Sequence, residues 1–461
     1  MRKGSAIVEV QSPQELESGI GRWRSYVLAH GETEPSVADT ERRLREDIAA
    51  LRGSGLDAEE SLLVAIRRIA ASDPTTRDFA RTFSDDLWVE PDAIDAGSSE
   101  SVVRGSSAEF WVMLGCAFAA GLAIKVPGLF GYDLDADGSF YARNLSLFVL
   151  PFLAVFFIWR EGLSRRGIAG LSAVFVAGAV FANVYQFEST GSTEILTAIH
   201  LPIVLWLTLG VAYVAGDWMT SARRMEYVRF TGEWLITFAL VVLGGGVLIA
   251  ITAGVFGAIG IDIEPFFEDW ILSFAMGAVI VTAWLVVTRR NLVGGMAPML
   301  ARVFTPLFAI MLVTLLVGVI WTRGAIEIER EVLILFDVLL VVVLALLLYA
   351  FSARDLNAKP GVFDWIQLVL VVCALAVDIF ALVNILARLT EFGFSANRTV
   401  AIGLNLILLV NLAYSAWLQT GFLRGRRGFE EVERWQMRYL PIYALWAAIV
   451  VIAFPPLFGF A

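Results

Sequence analysis

Long apolar runs separated by short polar loops make up the chain from residue 109 onward. Each run is close to the roughly 20 residues that an α-helix needs to cross a bilayer. The pattern therefore predicts an all-α polytopic membrane protein with about 11 transmembrane helices. The runs cover residues 109–126, 145–159, 167–187, 195–216, 233–260, 270–288, 302–321, 332–352, 363–387, 398–419 and 440–459.

Two stretches leave the boundaries of the spans open. The run 233–260 is long enough to contain a break, and Gly244-Gly245-Gly246 lies near its centre. The loop from Phe422 to Tyr439 mixes aromatic residues with arginines and glutamates. It is either a helix that lies in the membrane surface or a solvated loop that carries aromatic-belt residues. The number of spans is therefore fixed only to within one.

The first 90 residues carry apolar residues at the spacing of three and four that is typical of amphipathic helices. We expect four short helices here, whose apolar faces form one small core. Residues 91–107 are rich in polar and turn-forming residues and are expected to form a flexible linker. The predicted core residues are Leu16, Ile20, Trp23, Val27, Leu44, Ile48, Leu51, Leu62, Leu63, Ile66, Ile69, Phe79, Phe83 and Leu87.

The order and spacing of several segments in this head match a known domain. The segments are Trp23-Arg24, residues 41–48, residues 55–60, residues 65–69, and Phe79-Ala80 through Leu87-Trp88. Residues 1–90 resemble the bacterial permease-prefix domain, which is also related to the HAAS signalling domain. That family is often found with PadR-like repressors. The resemblance therefore implies a regulatory or adaptor head that docks a cytoplasmic protein, with a PadR-like regulator as the partner.

The charges of the loops alternate in sign along the chain. Loops on one side carry mostly arginines, such as Arg165 and Arg290, and loops on the other side carry mostly acids, such as Asp262 and Glu327. Basic loops of membrane proteins face the cytoplasm. We therefore expect a multi-pass protein of the cytoplasmic (inner) membrane with a cytoplasmic N terminus. An odd number of spans then places the C terminus outside.

The composition supports a membrane protein and argues against several other classes. Hydrophobic residues make up 58% of the chain and charged residues 17%, against about 25% charged in soluble domains. A net charge of −10 argues against nucleic-acid binding, which needs a basic face. Cys116 and Cys373 lie in apolar runs, so we expect neither a disulfide framework nor a metal cluster. Nucleotide-binding and hydrolase motifs are not found, which argues against an enzyme but leaves a membrane enzyme open.

A polar hinge at residues 388–398 separates the ninth and tenth runs. It contains the turn Phe392-Gly393-Phe394 and an arginine at each end, Arg388 and Arg398. Both arginines fall on the side that the charge rule predicts to be outside, where arginines are unusual. The hinge is therefore the first candidate for a functional site.

Polar residues of the neighbouring runs are expected to accompany these arginines. Asn384 and Asn405 lie on the helix faces that lead to the hinge, and Asp337 lies one to two turns inside the eighth run. We expect an outer polar cluster in which Asp337 pairs with Arg388 or Arg398. The alternative is that the arginines reach lipid phosphates and the acids are structural.

The hinge also carries a second resemblance. Its pattern is Arg388, then Phe392-Gly393-Phe394-Ser395, then Arg398, followed by residues 404–411. This pattern, together with residues 302–308, resembles the bacterial membrane family called domain of unknown function 4153. The resemblance covers about residues 230–420 and implies no known reaction or catalytic residue.

The first outer loop contains a candidate for weak calcium binding. Asp133, Asp135 and Asp137 occupy positions 1, 3 and 5 of a calcium-loop pattern, and Gly138 occupies position 6. Position 12 is Asn144 instead of the usual bidentate glutamate, so any site is weak. The alternative is a plain acidic surface loop. Calcium is the one cofactor that the sequence suggests.

The sequence favours two classes of function over a third. The first is a regulatory, sensing or scaffold module whose head docks a partner. The second is a solute transporter or permease, in which Asp337, Asp378 and the arginines line a path. Asp378 lies near the middle of the ninth run, where an ionised carboxylate must face protein or water. A membrane-embedded transferase ranks third.

Overall fold

The computed structural model describes residues 12–29, 34–53, 58–70, 73, 75–76, 79, 99–134, 136–188, 191–258, 266–288, 296–321, 330–354 and 358–460. Every regular element in these ranges is a helix, and none of these residues forms a strand. The prediction of an all-α fold is therefore confirmed. The chain divides into two compact units, Met1–Ser107 and Ala108–Ala461.

The first unit contains three long helices around a core of its own. They are α1 (Ser12–Ala29), α2 (Glu34–Gly53) and α3 (Ala58–Ala70). Trp23 is fully buried at the centre of this core, and its indole N–H donates to Thr76 Oγ1 at 3.0 Å. Phe79 is also buried, as the periodicity predicts, whereas Phe83 and Leu87 lie outside the described residues.

The second unit is a bundle of membrane-length helices. Ten helices in the described part of the chain are long and apolar enough to cross a bilayer, so the protein is a multi-pass integral membrane protein. In chain order, the helices described in this unit are α4 (Ser99–Lys125), α5 (Gly138–Glu161), α6 (Arg165–Val184), α7 (Ser192–Tyr213), α8 (Ser221–Ala258), α9 (Leu272–Ala275), α10 (Ala278–Thr288), α11 (Met296–Trp321), α12 (Arg330–Ser352), α13 (Val362–Phe392), α14 (Ala396–Leu423) and α15 (Glu430–Leu457). The ten membrane-length helices do not include α9 and α10, which are shorter.

Each of the eleven predicted runs corresponds to helical structure, but the sixth is shorter than the others. It spans Leu272–Thr288 and changes from α9 to α10 at Gly277. A Cβ atom at Gly277 would lie 2.9 Å from the carbonyl oxygen of Ala117. The close approach of this backbone to α4 therefore requires glycine.

Helix α4 begins inside the segment that the sequence predicts to be a flexible linker. Its first residue is Ser99, so residues 99–107 are helical, while residues 91–98 lie outside the described part.

The break at Gly244-Gly245-Gly246, which the length of the run left open, is not formed. Helix α8 continues without interruption from Ser221 to Ala258. In an apolar medium every backbone polar group needs a partner within the helix, and this requirement outweighs the poor helix propensity of glycine. A Cβ atom at any of the three glycines would meet nothing within 4 Å.

The loop predicted between Phe422 and Tyr439 is mostly helix, which overturns both interpretations of it. Helix α14 ends at Leu423, a tight turn follows, and α15 begins at Glu430 and continues directly into the last span. Val432 is fully buried and Tyr439 nearly so. This segment is therefore the first part of a span that packs against the bundle, because its apolar face is covered by protein.

Contacts at the loops show that consecutive spans alternate in direction. At one end, which holds Gly393 and is called the hinge end below, Asn397 donates to Ser192 Oγ at 3.1 Å. At the other end, which holds Arg354 and is called the basic end, Arg229 Nε donates to the carbonyl of Ser352 at 2.9 Å. Helices α4 to α10 surround one apolar core, and α11 to α15 surround a second.

Two glycine substitutions test whether the close approach of α14 and α15 contributes to stability. A Cβ atom at Gly403 would lie 2.1 Å from the indole ring of Trp446. We expect Gly403→Ala to lower the free energy of unfolding by about 1–3 kcal/mol, because the packed and partly buried ring of Trp446 must move. Unfolding of the purified protein in mixed micelles measures this. The matched control is Gly244→Ala, which we expect to be neutral or stabilising by about 0.5–1 kcal/mol. Equal effects of the two substitutions would contradict the packing described.

Candidate functional site

The hinge between α13 and α14 is a capped turn. Gly393 has a φ of +73°, a conformation that side-chain-bearing residues adopt only with strain. Its N–H donates to the carbonyl of Leu389 at 2.9 Å, which closes the last turn of α13. Ser395 is the N-cap of α14, and its hydroxyl accepts from the N–H of Arg398 at 3.4 Å. The glycine and the serine are therefore explained by the turn itself.

The arginines of the hinge contact the C-terminal end of α13. Arg398 Nη1 donates to the carbonyls of Phe392 at 3.1 Å and Gly393 at 2.7 Å, which are among the carbonyls that a helix end leaves without partners. The guanidinium groups of Arg388 and Arg398 lie 5.9 Å and 5.5 Å from the Phe392 ring centroid, within reach of a cation–π interaction. The ring of Phe394 is 78% exposed.

The expected ion pair between Asp337 and an arginine of the hinge is not formed. Asp337 Oδ1 accepts from Asn405 Nδ2 at 2.8 Å, while Arg398 turns back to the carbonyls at the end of α13. The reason is depth, because Asp337 and Asn405 both lie inside the membrane whereas Arg398 lies in the first turn of α14. Asn384 donates to the carbonyl of Phe380 in its own helix. The candidate cluster therefore separates into a hinge cap and a deeper polar pair.

Asp378 lies deeper still. Its side chain is completely buried, and neither carboxylate oxygen has a hydrogen-bond partner in the protein. The rings of Phe336 and Phe380 lie 6.3 Å apart, so the stretch of α12 that carries Asp337 lies beside the stretch of α13 that carries Asp378. Asp337 is half-buried and Asp378 is fully buried, and we call Asp337 and Asp378 the buried acid pair. No ion pair to Asp337 or Asp378 occurs in the part of the chain that the structure describes.

Asn405 adds a further unpaired acceptor beside this pair. Its amide nitrogen donates to Asp337 and to the carbonyl of Ala401, but its Oδ1 atom is buried and has no partner. Helices α13 and α14 thus each carry a buried side-chain oxygen that has no donor in the described part of the chain. Such an arrangement binds a positive charge or a proton, because unsatisfied buried acceptors are costly.

A hydrogen-bonded network lies next to Asp378 on the side of α15. Asn411 Nδ2 donates to Tyr443 Oη at 2.8 Å and to Gln436 Oε1 at 3.0 Å. Asn411 Oδ1 accepts from Trp435 Nε1 at 2.7 Å, and Gln436 Nε2 donates to Ser415 Oγ at 2.6 Å. Every amide atom named here is satisfied, so the network fixes the packing of α14 against α15.

Two further buried amides lie towards the basic end. Gln367 on α13 and Gln419 on α14 are 1% and 3% exposed, and the Nε2 atom of each has no partner in the protein. Counted from the hinge at about 1.5 Å per residue, the two glutamines lie at nearly the same depth. The α13–α14 pair therefore carries unsatisfied buried side chains at three depths.

The acidic loop before α5 uses its described carboxylates within the loop. Asp137 Oδ2 accepts from the N–H of Asp133 at 2.8 Å, and Asp133 Oδ1 accepts from the N–H of Ala136 at 3.1 Å. Asn144 is drawn into a reciprocal amide pair with Asn183 at 2.7 and 3.0 Å. The described residues contain no group of three metal-ligating side chains, and Asp135 lies outside them. Calcium binding here stays a prediction.

The structure contains two ion pairs that the sequence did not predict. Arg143 on α5 pairs with the buried Glu194 on α7, and its guanidinium lies 4.9 Å from the Phe187 ring centroid. Arg143 interrupts the acidic loops at the hinge end, and this exception to the charge alternation is a signal that could have identified it. At the basic end, Arg354 pairs with Asp364 and lies between the rings of Phe422 and Phe429.

Three comparisons with known proteins found no match for this chain. No family model matches it, and no curated protein or solved structure is significantly similar to it. The fold and the buried acid pair therefore define the class of protein, a multi-pass membrane protein with ionisable groups in its membrane interior.

Proposed function

We propose that the membrane domain is a cation-coupled solute transporter and that Asp378 is its coupling carboxylate. The observation that carries this proposal is the complete burial of Asp378 without a hydrogen-bond partner or a counter-ion. Charged groups in the membrane interior are expensive and usually mark ion or substrate pathways. A scaffold gains nothing from a carboxylate at that depth, whereas a transporter needs a group that binds and releases a cation.

The position of the site fits this function. The charge rule places the hinge end outside the cell and the basic end in the cytoplasm. Asp378 is 14 residues from the last residue of α13 and 16 residues from its first residue, so it lies near the middle of the bilayer. Transporters hold their coupling ions near the midplane. The two oxygens of Asp378 face no donor in the described part of the chain.

Removal of this carboxylate tests the proposal. We expect Asp378→Asn to abolish the transient currents that reconstituted protein gives on a solid-supported membrane with a panel of amino acids, sugars and organic acids. The amide keeps the size of the side chain but cannot exchange a charge. The control is Glu391→Gln, which changes an exposed acid on the same helix and should leave the currents unchanged. Currents that persist at wild-type size in Asp378→Asn would contradict the assignment.

A second function is proposed for residues 1–90, where the compact head supports a docking role. The head has its own core, and charged side chains of α1 and α2, including Arg24 on α1 and Glu41 and Arg45 on α2, line a shallow groove. Arg45 donates to Glu17 on α1 at 2.5 and 2.9 Å, and this hydrogen bonding lowers the pKa of the Glu17 carboxyl. We propose that this head docks a cytoplasmic regulator, of the PadR-like type that the family resemblance implies.

The docking role is tested separately from transport. The full-length protein should co-purify with a PadR-like regulator expressed from the same cell, and a chain that lacks residues 1–90 should not. We expect the shortened chain to keep its transient currents, because the membrane unit has cores of its own. Equal capture of the regulator by both chains would end the docking proposal and leave the transporter proposal intact.

A further inference from the structure

We propose that the transported solute is a protonated organic amine, which reaches Asp378 along a series of aromatic rings between α14 and α15. This inference rests on the proposed transport function and names the class of its substrate. We call the five residues that carry these rings the aromatic ladder. They are Trp417 and Tyr414 on α14, and Trp435, Tyr439 and Tyr443 on α15.

The rings of the aromatic ladder follow one another at contact distance. The centroids of Trp417 and Tyr414 lie 5.1 Å apart, and those of Tyr414 and Trp435 lie 4.2 Å apart. Two further steps, of 5.1 and 5.5 Å, lead from Trp435 through Tyr439 to Tyr443. Trp417 and Tyr414 are exposed, whereas Tyr439 is buried. The ladder therefore begins on the surface of the bundle and continues into its interior.

The inner end of the aromatic ladder lies beside Asp378. Tyr443 Oη accepts from Nδ2 of the fully buried Asn411 at 2.8 Å. Counted from the hinge at about 1.5 Å per residue, Asn411 and Asp378 lie at nearly the same depth, about 21–23 Å. The ring of Tyr443 packs against the core that contains Val377 and Ala381. Because these two residues flank Asp378 on α13, the last ring of the ladder lies next to the unpaired carboxylate.

The charge of the site favours a cationic solute. Neither carboxylate oxygen of Asp378 has a donor in the described part of the chain. An ammonium group brings a positive charge together with N–H donors, and both satisfy this carboxylate. A solute with a carboxylate would instead place a second negative charge beside Asp378 in the membrane interior, which is costly.

The aromatic ladder provides contacts that suit an organic cation. The negative face of an aromatic ring attracts ammonium and guanidinium groups. The outermost ring already makes such a contact, because the guanidinium of Arg427 lies 4.1 Å from the ring centroid of Trp417. Arg427 lies at the basic end, which the charge rule places in the cytoplasm. The ladder therefore connects the cytoplasmic surface with Asp378.

Three small molecules of matched size test the charge of the solute. Benzylammonium, benzyl alcohol and benzoate share an aromatic ring and differ in charge. We expect wild-type protein on a solid-supported membrane to give a transient current with benzylammonium, after subtraction of the signal of protein-free liposomes. Benzyl alcohol and benzoate should give none, and Asp378→Asn should abolish the benzylammonium current.

Two tryptophan substitutions test the aromatic ladder itself. We expect Trp417→Leu to raise the benzylammonium concentration for half-maximal current about two- to fivefold, the effect of one exposed cation–π contact. The matched control is Trp365→Leu at the basic end of α13, outside the ladder. The two tryptophans are 52% and 54% exposed, so neither substitution disturbs a buried core. Equal shifts in the two variants, or no shift in Trp417→Leu, would overturn the ladder as the route.

The outcomes separate the amine from the proposed transport function. If benzoate or benzyl alcohol gives a current as large as that of benzylammonium, the amine is overturned and the transporter remains. The same holds if benzylammonium gives no current while a sugar or an organic acid gives one that Asp378→Asn abolishes. If no solute, benzylammonium included, gives a current that depends on Asp378, both the amine and the proposed function are overturned.

Discussion

Replacing Arg354 by methionine lowers the free energy of unfolding by about 3–5 kcal/mol, the usual cost of leaving a buried charge without its partner. Arg354 Nε and Nη2 donate to the two oxygens of Asp364 at 2.8 and 3.2 Å, and Nη2 also donates to the carbonyl of Ala358 at 3.0 Å. Both side chains of the ion pair are only 10% exposed. The guanidinium lies 4.6 and 4.4 Å from the ring centroids of Phe422 and Phe429. One side chain therefore joins the α12–α13 connection to the α14–α15 connection.

Unfolding of the purified protein in mixed micelles measures this effect. The double variant R354M/D364N should lower the free energy of unfolding by less than the sum of the two single variants. The reason is that it no longer leaves a charge buried alone. Arg434→Ala is the matched control. Arg434 also pairs with a carboxylate, that of Glu430, but the two side chains are 46% and 66% exposed, and exposed pairs contribute about 0–1 kcal/mol. A loss of stability as large in Arg434→Ala as in Arg354→Met would contradict the structural role assigned to Arg354.

We expect Phe157→Ala to lower the free energy of unfolding by a similar amount, about 3–5 kcal/mol, for a different reason. The ring of Phe157 is fully buried on α5. It meets the rings of Tyr213 on α7 and Phe230 on α8 edge-on, with centroids 5.4 and 5.6 Å apart. Truncation removes these contacts and leaves a cavity where three helices meet, and the rigid neighbouring rings fill such a cavity poorly.

Phe130→Ala is the matched control for this prediction. It removes the same side chain from a position that is 78% exposed, at the hinge end of the first span. We expect a change within about 0.5 kcal/mol in mixed micelles, the usual range for surface substitutions. Comparable losses in both variants would mean that burial within the protein does not decide stability in this bundle, contrary to the packing of its first core.

The sequence pattern predicted the spans well because bilayer thickness controls it directly. A helix that crosses lipid must be about 20 apolar residues long, and each predicted run corresponds to a helical segment. The pattern was less informative at α8 and α15. Glycines and charged residues normally signal breaks and loops, but backbone hydrogen bonding keeps α8 continuous at Gly244, and burial of Val432 keeps α15 helical where its sequence is polar.

The sequence shows which residues of the candidate site are unusual, but it does not show their partners. An acid or an arginine inside an apolar run is visible in the sequence, so Asp337, Asp378 and Arg398 stood out. Which side chain meets which depends on helix rotation and depth, and the sequence specifies neither. The pairing of Asp337 with Asn405 in place of an arginine follows from that geometry. The pairing of Arg143 with Glu194 across 51 residues was missed for the same reason.

The buried acid pair also explains why the hinge at Gly393 is not the centre of the site. The hinge arginine Arg398 caps α13 and so holds α13 and α14 in register. That register places Asp378 on α13 opposite the stretch of α14 that carries Asn405 and Asn411. The hinge therefore positions the site, and the carboxylates provide its chemistry.

The most direct test of this account is the charge displacement that follows a jump in pH or in sodium concentration in proteoliposomes adsorbed to a solid-supported membrane. We expect a transient current in the wild-type protein and in Glu391→Gln, because the coupling cation moves part of the way across the bilayer to reach Asp378. We expect Asp378→Asn to show no such current while remaining folded. A current of unchanged size in Asp378→Asn would contradict the claim that Asp378 binds the coupling ion.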